Sequence, residues 1–370
     1  MLRREVLAGL TVLTGSLVVP GELAAPGPLL PGRAAAGVSD GDGDARAVAQ
    51  LERLLTDPAP RPLPVSIAGL ERTVDAATAA FAACRYGQLA GWLPEIAAAA
   101  HAGLAATPQG GRRRPATVLA RCYLLGSELS VKFNQDGMAW VIADRGLRAA
   151  TESGDPRLVA AASRRVAIAM RRHGRHDGAT SLLIRTAQSV DADRDGPAAG
   201  RNTDYARLLC TAAYSSAQAG RRGEALELVD EALSVASLAA AARRPATRAT
   251  TSPARLAACS PAHVAVYSIG VHLALGDPAR ALAHARTVDP RRLPTPERRA
   301  RFQLDTARAW QRFGRPHESY AALRAIELTA PEEIRRPSVR TLIRSLLDTR
   351  GRAPAGLPAL ASRAGVTGPV

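Results

Sequence analysis

The sequence predicts an all-α fold, a right-handed superhelical stack of helical hairpins of the tetratricopeptide-like solenoid kind. Three observations carry this reading. Hydrophobic residues make up 46 % of the chain but aromatics only 4 %, so the apolar content is mostly Ala, Leu and Val. Ala is the strongest helix former and lets helices approach closely, whereas a sheet favours β-branched and aromatic residues. From about Ile67 the apolar residues recur with a helical period and continue to do so. A small turn residue followed five positions later by Ala recurs along the chain.

The elements follow in order. Residues 1–19 open with Met1-Leu-Arg-Arg-Glu and stay apolar to Val19. Arg3-Arg4 before a short apolar run has the form of a twin-arginine export signal, with Ala34-Ala35-Ala36 as a small-residue cleavage site. The run from Val6 to Val19 falls short of the roughly 20 residues of a membrane span. The alternative is a hydrophobic helix that packs on the body or serves as a linker. Residues 20–64 are expected to form a flexible Pro/Gly-rich linker, stiffened at Asp57-Pro-Ala-Pro-Arg-Pro-Leu-Pro64.

Residues 65–350 carry the repeat. The turns are Phe133-Asn134, His173-Gly174, Ala219-Gly220, Leu275-Gly276 and Phe313-Gly314. Gly or Asn suits these points because the backbone there commonly turns left-handed. Ala139, Ala179, Ala225, Ala281 and Ser319 follow, where the two helices of a hairpin cross most closely. Ala225, Val229 and Ala232 show the apolar stripe that each second helix buries. Every hairpin has a second apolar face that only a neighbour covers, so the units stack. The equivalent small residues are 40, 46, 56 and 38 apart, against about 34 in a regular tetratricopeptide array. Insertions near 189–203 and 239–261 account for most of the excess. Ile67–Ala106 is expected to be a further, diverged hairpin, and residues 351–370 a loose tail.

The formal net charge of +16 normally points to a polyanionic partner. Lys132 is the only lysine. Codon bias explains arginine in place of lysine but not the excess over acids. The basic residues cluster at Arg112–Arg114, Arg243–Arg244 with Arg248, Arg291–Arg292, Arg298–Arg299 with Arg301, and Arg335–Arg336 with Arg340 and Arg344. They lack interleaved aromatics and a groove-reading helix, so direct nucleic-acid binding is not expected.

Three stretches carry a more specific likeness. They are Arg85-Tyr86-Gly-Gln-Leu-Ala-Gly-Trp92-Leu93-Pro94, Ala307-Arg308-Ala309-Trp310 with Gly314, and Ala330-Pro331-Glu332-Glu333-Ile334-Arg335-Arg336-Pro337-Ser338-Val339-Arg340. Together they resemble the repeat region of actinobacterial regulators that carry an N-terminal Cro-type helix-turn-helix. Such a DNA-binding domain would need about 60 residues ahead of Arg3, so the expectation is a module without its own DNA-binding domain. The resemblance implies a sensor or partner-binding unit that receives a protein, a peptide or a small effector.

No catalytic set is expected. Lys132, between Val131 and Phe133, excludes a Gly-Lys-Ser/Thr phosphate loop and reads as a helix-surface residue near a turn. No G-x-S-x-G elbow occurs, and no paired carboxylates fall on a buried helix face. His173 and His176 lack a further ligand at metal spacing and fit a hairpin turn better. Asp191-Ala-Asp193-Arg-Asp195-Gly196 has the first half of a calcium loop, but Asn202 stands where the bidentate Glu belongs. Trp92, Trp140 and Trp310 are expected in core or inter-repeat packing. Cys84, Cys122, Cys210 and Cys259 lie far apart, without C-x-x-C. At least the first three read as buried small hydrophobes, in keeping with a reducing compartment. The expectations are therefore a non-enzyme, no cofactor or metal, and a cytoplasmic binding module. The alternative is a twin-arginine-exported or membrane-tethered scaffold.

Overall fold

Local signals set each hairpin before any long-range contact forms. The computed structural model describes residues 40–56, 66–192, 198–241, 259–349 and 353–366. The candidate signal at 1–19 lies outside them, as do residues 193–197 of the calcium-like loop and 242–258 of the second insertion. Among the described residues every regular element is helical.

A helix α1 (Asp40–Thr56) comes first. Six hairpins follow: α2 (Ile67–Ala82) with α3 (Tyr86–Ala106), α4 (Arg113–Lys132) with α5 (Asp136–Ser153), and α6 (Pro156–Arg172) with α7 (His176–Ala192). The next three are α8 (Ala198–Gln218) with α9 (Arg222–Ala241), α10 (Pro261–Ala274) with α11 (Pro278–Arg286), and α12 (Pro296–Arg312) with α13 (Pro316–Thr329). Three short helices end the array: α14 (Pro331–Ile334), α15 (Pro337–Leu347) and α16 (Leu357–Arg363).

All six hairpin turns use one device. The turn residues Cys84, Asn134, Gly174, Gly220, Gly276 and Gly314 all have φ between 59° and 78°. In each, the following N–H reaches back five residues to close the first helix, as from Arg175 to Met170 O at 2.9 Å and from Asp277 to His272 O at 2.9 Å. Proline at the first helical position starts several helices, and the preceding side chain often caps them. Asp155 Oδ1 accepts from the N–H of Arg157 at 2.9 Å, and Thr295 Oγ1 from that of Arg298 at 3.2 Å. A Cβ at Gly276 would meet nothing within 4 Å. Gly276→Ala is therefore expected to cost only the left-handed strain, about 1–2 kcal/mol. Urea unfolding checks this, and an unchanged midpoint would contradict the turn geometry.

The small residue after each turn sits where the helices cross. Ala139, Ala179, Ala225, Ala281 and Ser319 are all 0 % exposed. Their size lets hydroxyls bond across the hairpin: Ser127 Oγ donates to Ala139 O at 3.0 Å, and Ser319 Oγ to Ala307 O at 2.8 Å.

Several boundaries differ from the sequence reading. The expected linker contains α1, whose Ala47, Leu51 and Leu54 are buried one turn apart, and Arg145 Nη1 donates to its terminal Leu55 O at 2.9 Å. The expected loose tail contains α16, which buries Leu357, Leu360 and Ala361, with Ala364 buried just after it. The insertion at 189–203 is mostly helical, since α7 runs to Ala192 and α8 starts at Ala198. The second insertion is bounded by Ala241 and by Ser260, whose Oγ caps α10 through the N–H of His263 at 3.3 Å.

The first helices of the hairpins touch in sequence: α2 with α4, α4 with α6, α6 with α8, α8 with α10, and α10 with α12. The cycle then closes, because α12 also touches α2. One hydrophobic cluster accordingly joins residues from both ends, with Leu89, Leu93 and Leu129 in the same core as Leu323, Ile343 and Leu360.

Buried charges seal this closure. Lys132 Nζ donates to Glu297 Oε1 at 2.7 Å and also to Glu333. Arg336 Nη1 donates to Glu333 Oε2 at 2.6 Å, and the Tyr86 hydroxyl donates to Glu333. Glu332 Oε2 accepts from the N–H groups of Tyr86 at 2.7 Å and Gly87 at 3.1 Å. It thus caps α3, whose own Arg85 provides no side-chain cap. Arg340 pairs with Asp44 at 2.5 Å, tying α15 to α1. Lys132 is therefore not a surface lysine: its side chain is 8 % exposed and lies 5.3 Å from the Tyr86 ring centroid and 5.5 Å from that of Phe81. Paired carboxylates do exist in the interior, supplied by helices 36 residues apart in the chain at Glu297 and Glu333. Burial would raise the Glu333 carboxyl, but Arg336 and Lys132 outweigh it and hold it at about 2.

Candidate functional site: a basic cavity inside the cycle of helices

The six first helices surround a cavity of about 610 Å³. Its wall is made by one face of each. On α6 that face carries Arg164, Ile168 and Arg171, and on α8 it carries Arg207, Thr211, Tyr214 and Gln218. On α10 it carries His263 and Tyr267, and on α12 Arg298, Arg301, Leu304 and Arg308. These spacings of three, four and seven keep each set on a single helix face. Phe81 and Lys132 close one side.

The wall carries ten basic side chains against three carboxylates. Six of the ten are balanced locally. Arg165 pairs with Glu128, Arg172 with Asp136, and Lys132 and Arg336 with Glu333. Arg301 and Arg308 share the buried Asp305 at 2.9 and 3.1 Å.

Four have no carboxylate within ion-pair distance among the described residues. Arg164 Nε donates to Thr211 Oγ1 at 2.7 Å and its Nη2 to the Tyr267 hydroxyl at 2.5 Å. Arg171 lies over the Tyr214 ring, 4.6 Å from its centroid, and burial lowers it to about 10. Arg298 Nη1 donates to His263 Nδ1 at 2.5 Å. Arg207 keeps two buried nitrogens, Nε and Nη2, without a hydrogen-bond partner among the described residues. Leaving a buried donor unmade is costly, so such groups mark a site of use or strain.

The field of these arginines governs their neighbours. Burial, then Arg298, Arg207 and Arg164, hold His263 well below its ordinary 6.5. The ring is neutral at pH 7 and accepts at Nδ1, so its proton sits on Nε2, which is buried without an acceptor. Burial alone would raise the Tyr267 phenol, but Arg164 and Arg301 bring it below its ordinary value. Cys259 is lowered first by a hydrogen bond from Cys210 and further by Arg207, Arg298 and Arg164. His263, Tyr267 and Cys259 thus report positive potential, whereas Tyr267 with Glu128 raises Arg164 and Asp305 raises Arg301.

The sequence candidates disperse over the structure. Of the arginine clusters, Arg298, Arg301 and Arg336 reach the cavity. Arg112 and Arg114 pair outside with Glu152 and Glu71, Arg291 and Arg292 are exposed, and Arg243, Arg244 and Arg248 lie outside the described residues. His173 Nδ1 donates to Ala169 O, 2.9 Å away, and the ring stands edge-on to Trp140. His176 lines the cavity with its Nδ1 unpaired. Among the described residues no three His, Cys, Asp or Glu side chains converge as a metal set. Trp92 is buried in the core, and Trp310 packs against the cluster that includes Phe302 and Leu273 and stands edge-on to Phe313. All four cysteines are buried and unpaired as thiols. Burial pushes Cys84 up to about 12, which leaves it protonated and unreactive.

Sequence reasoning missed Arg164, Arg171, Arg207, His263 and Tyr267. The available signal was a basic or aromatic residue at helical spacing on the first helix of each hairpin, the helix whose inner face a solenoid leaves concave. No protein-family model matches the chain, and no curated protein matches it. Among the described residues no helix is long and apolar enough to cross a membrane.

Proposed function

We propose that the chain is a binding module of the transcriptional-regulator type, and that its ligand or partner segment enters the central basic cavity without chemical turnover. The hairpins form a right-handed superhelix in this reading, wound until its ends meet. The observation that carries the proposal is the cavity wall itself, built by all six first helices and left with uncompensated positive charge. The volume suits a small effector or a few residues of an extended peptide rather than a folded domain or a nucleic-acid duplex.

The relation to regulators rests on the three stretches that resemble them. Two of these meet at the closure, where Tyr86 of the first contacts Glu332 and Glu333 of the third. A shared structural role for these motifs supports the reading. Absence of turnover is supported by the state of the candidate groups: Lys132 is held in ion pairs, and His263 is hemmed by arginines.

A thermal-shift screen of anionic metabolites and acidic peptides tests the proposal. Compounds that stabilise the wild-type chain are expected to lose their effect in Arg164→Gln. If every hit stabilises that variant equally, the binding surface lies elsewhere.

A further inference from the structure

Three of the uncompensated arginines converge from three different helices: Arg164 on α6, Arg207 on α8 and Arg298 on α12. All three act on His263, and Arg207 feels both of the others directly. Like charges gathered at one point destabilise a fold unless something answers them. Around this node Tyr267 and Glu128 offset Arg164, and Asp204 and Cys259 offset Arg207, but no carboxylate among the described residues lies within ion-pair distance of either arginine. The node offers donors only. Among the described residues Arg207 Nε and Nη2 and His263 Nε2 are unmatched N–H groups, and arginine presents its donors as a planar fork.

We infer that the Arg164–Arg207–Arg298 node is a phosphate site, and that the cavity takes a small phosphorylated molecule whose remaining body lies along Tyr214 and Tyr267. The inference rests on the cavity being the ligand site and names its ligand class. A phosphate fits because it concentrates about two charges and several acceptor oxygens at one point, which suits convergent guanidinium forks. An acidic peptide spreads single charges along a chain and would call for separated cations. The cavity volume of about 610 Å³ falls within the roughly 300–1,000 Å³ of small-molecule sites. The arrangement is pre-formed, so binding orders little and the stored repulsion is relieved when the anion enters.

The full chain is titrated calorimetrically at moderate salt with inorganic phosphate, pyrophosphate, adenosine 5′-monophosphate and a hexaglutamate peptide. Pyrophosphate and the nucleotide are expected to bind, and phosphate more weakly. Arg207→Gln and Arg298→Gln are each expected to weaken binding at least about tenfold, while Arg114→Gln, in an exposed pair outside the cavity, leaves it unchanged. Without ligand, Arg207→Gln should melt at the wild-type temperature or higher, because it removes an unanswered charge. A purely structural arginine would instead lower the melting temperature. A folded wild-type chain that binds none of the phosphate probes, or binds them equally as Arg207→Gln, overturns the inference. If only hexaglutamate binds, and Arg207→Gln weakens it, the phosphate assignment falls while the cavity remains the binding site. Binding of every probe unchanged in both cavity variants removes both readings.

Discussion

Glu333→Ala is expected to destabilise the fold by about 3–5 kcal/mol, the range for breaking a buried ion pair from one side. The carboxylate is 1 % exposed and receives Lys132, Arg336 and the Tyr86 hydroxyl. Its removal strands two cations in the interior, although Lys132 keeps Glu297 at 2.7 Å. Glu297→Ala should cost less, since its side chain is 18 % exposed and Lys132 keeps Glu333. Chemical denaturation of the two variants checks the order.

The same carboxylate predicts an acid dependence. In the folded chain Glu333 is held at about 2, against an ordinary value of 4.5. A depressed carboxyl stabilises the fold fully above its ordinary value, and the contribution disappears as pH falls from there toward about 2. The share at stake is on the order of 3 kcal/mol. Unfolding free energy should therefore drop as pH falls from about 5 to about 2, and drop less in Glu333→Ala. Parallel profiles would show that the group titrates normally.

The second large effect concerns the last helix. Leu357 and Leu360 are each 0 % exposed and belong to the core that joins both ends of the chain. Burying a leucine and then truncating it leaves a cavity and costs about 2–5 kcal/mol. Leu357→Ala with Leu360→Ala should thus lower stability by at least about 4 kcal/mol, allowing for neighbours that do not add strictly. A loose tail would give no change in the urea midpoint, so the double variant separates the two descriptions of residues 353–366.

The hairpins were legible in the sequence because their causes are local. Gly174, Gly220, Gly276 and Gly314 mark left-handed turns, and Ala179, Ala225 and Ala281 mark the crossings five residues later. The first hairpin was harder to read because Cys84 takes the left-handed turn in place of glycine. Helix α1 was hidden by Gly41 and Gly43 in its first turn, and α16 by the Gly and Pro residues around Arg352–Pro358. Its three buried positions, Leu357, Leu360 and Ala361, lie within only about two turns, too few to show a period.

Closure was not legible because its partners are remote. Lys132 meets Glu297 and Glu333 across 165 and 201 residues, and no spacing rule connects them. The basic cavity was hidden for a related reason. Runs such as Arg112–Arg114 draw the eye, yet adjacent residues on a helix point in different directions. The node is assembled from one arginine on each of three helices, Arg298 coming from the Arg298–Arg299 run, so it exists only once α6, α8, α10 and α12 have packed together.

The central claim is that the six hairpins close on themselves around the cavity. A double-mutant cycle with Tyr86→Phe and Glu333→Gln tests it most directly, because these residues lie 247 positions apart and bond only if the ends meet. Closure predicts a coupling of about 1 kcal/mol or more between the two substitutions. Additivity within about 0.3–0.5 kcal/mol would mean that the ends stand apart and that the array is open.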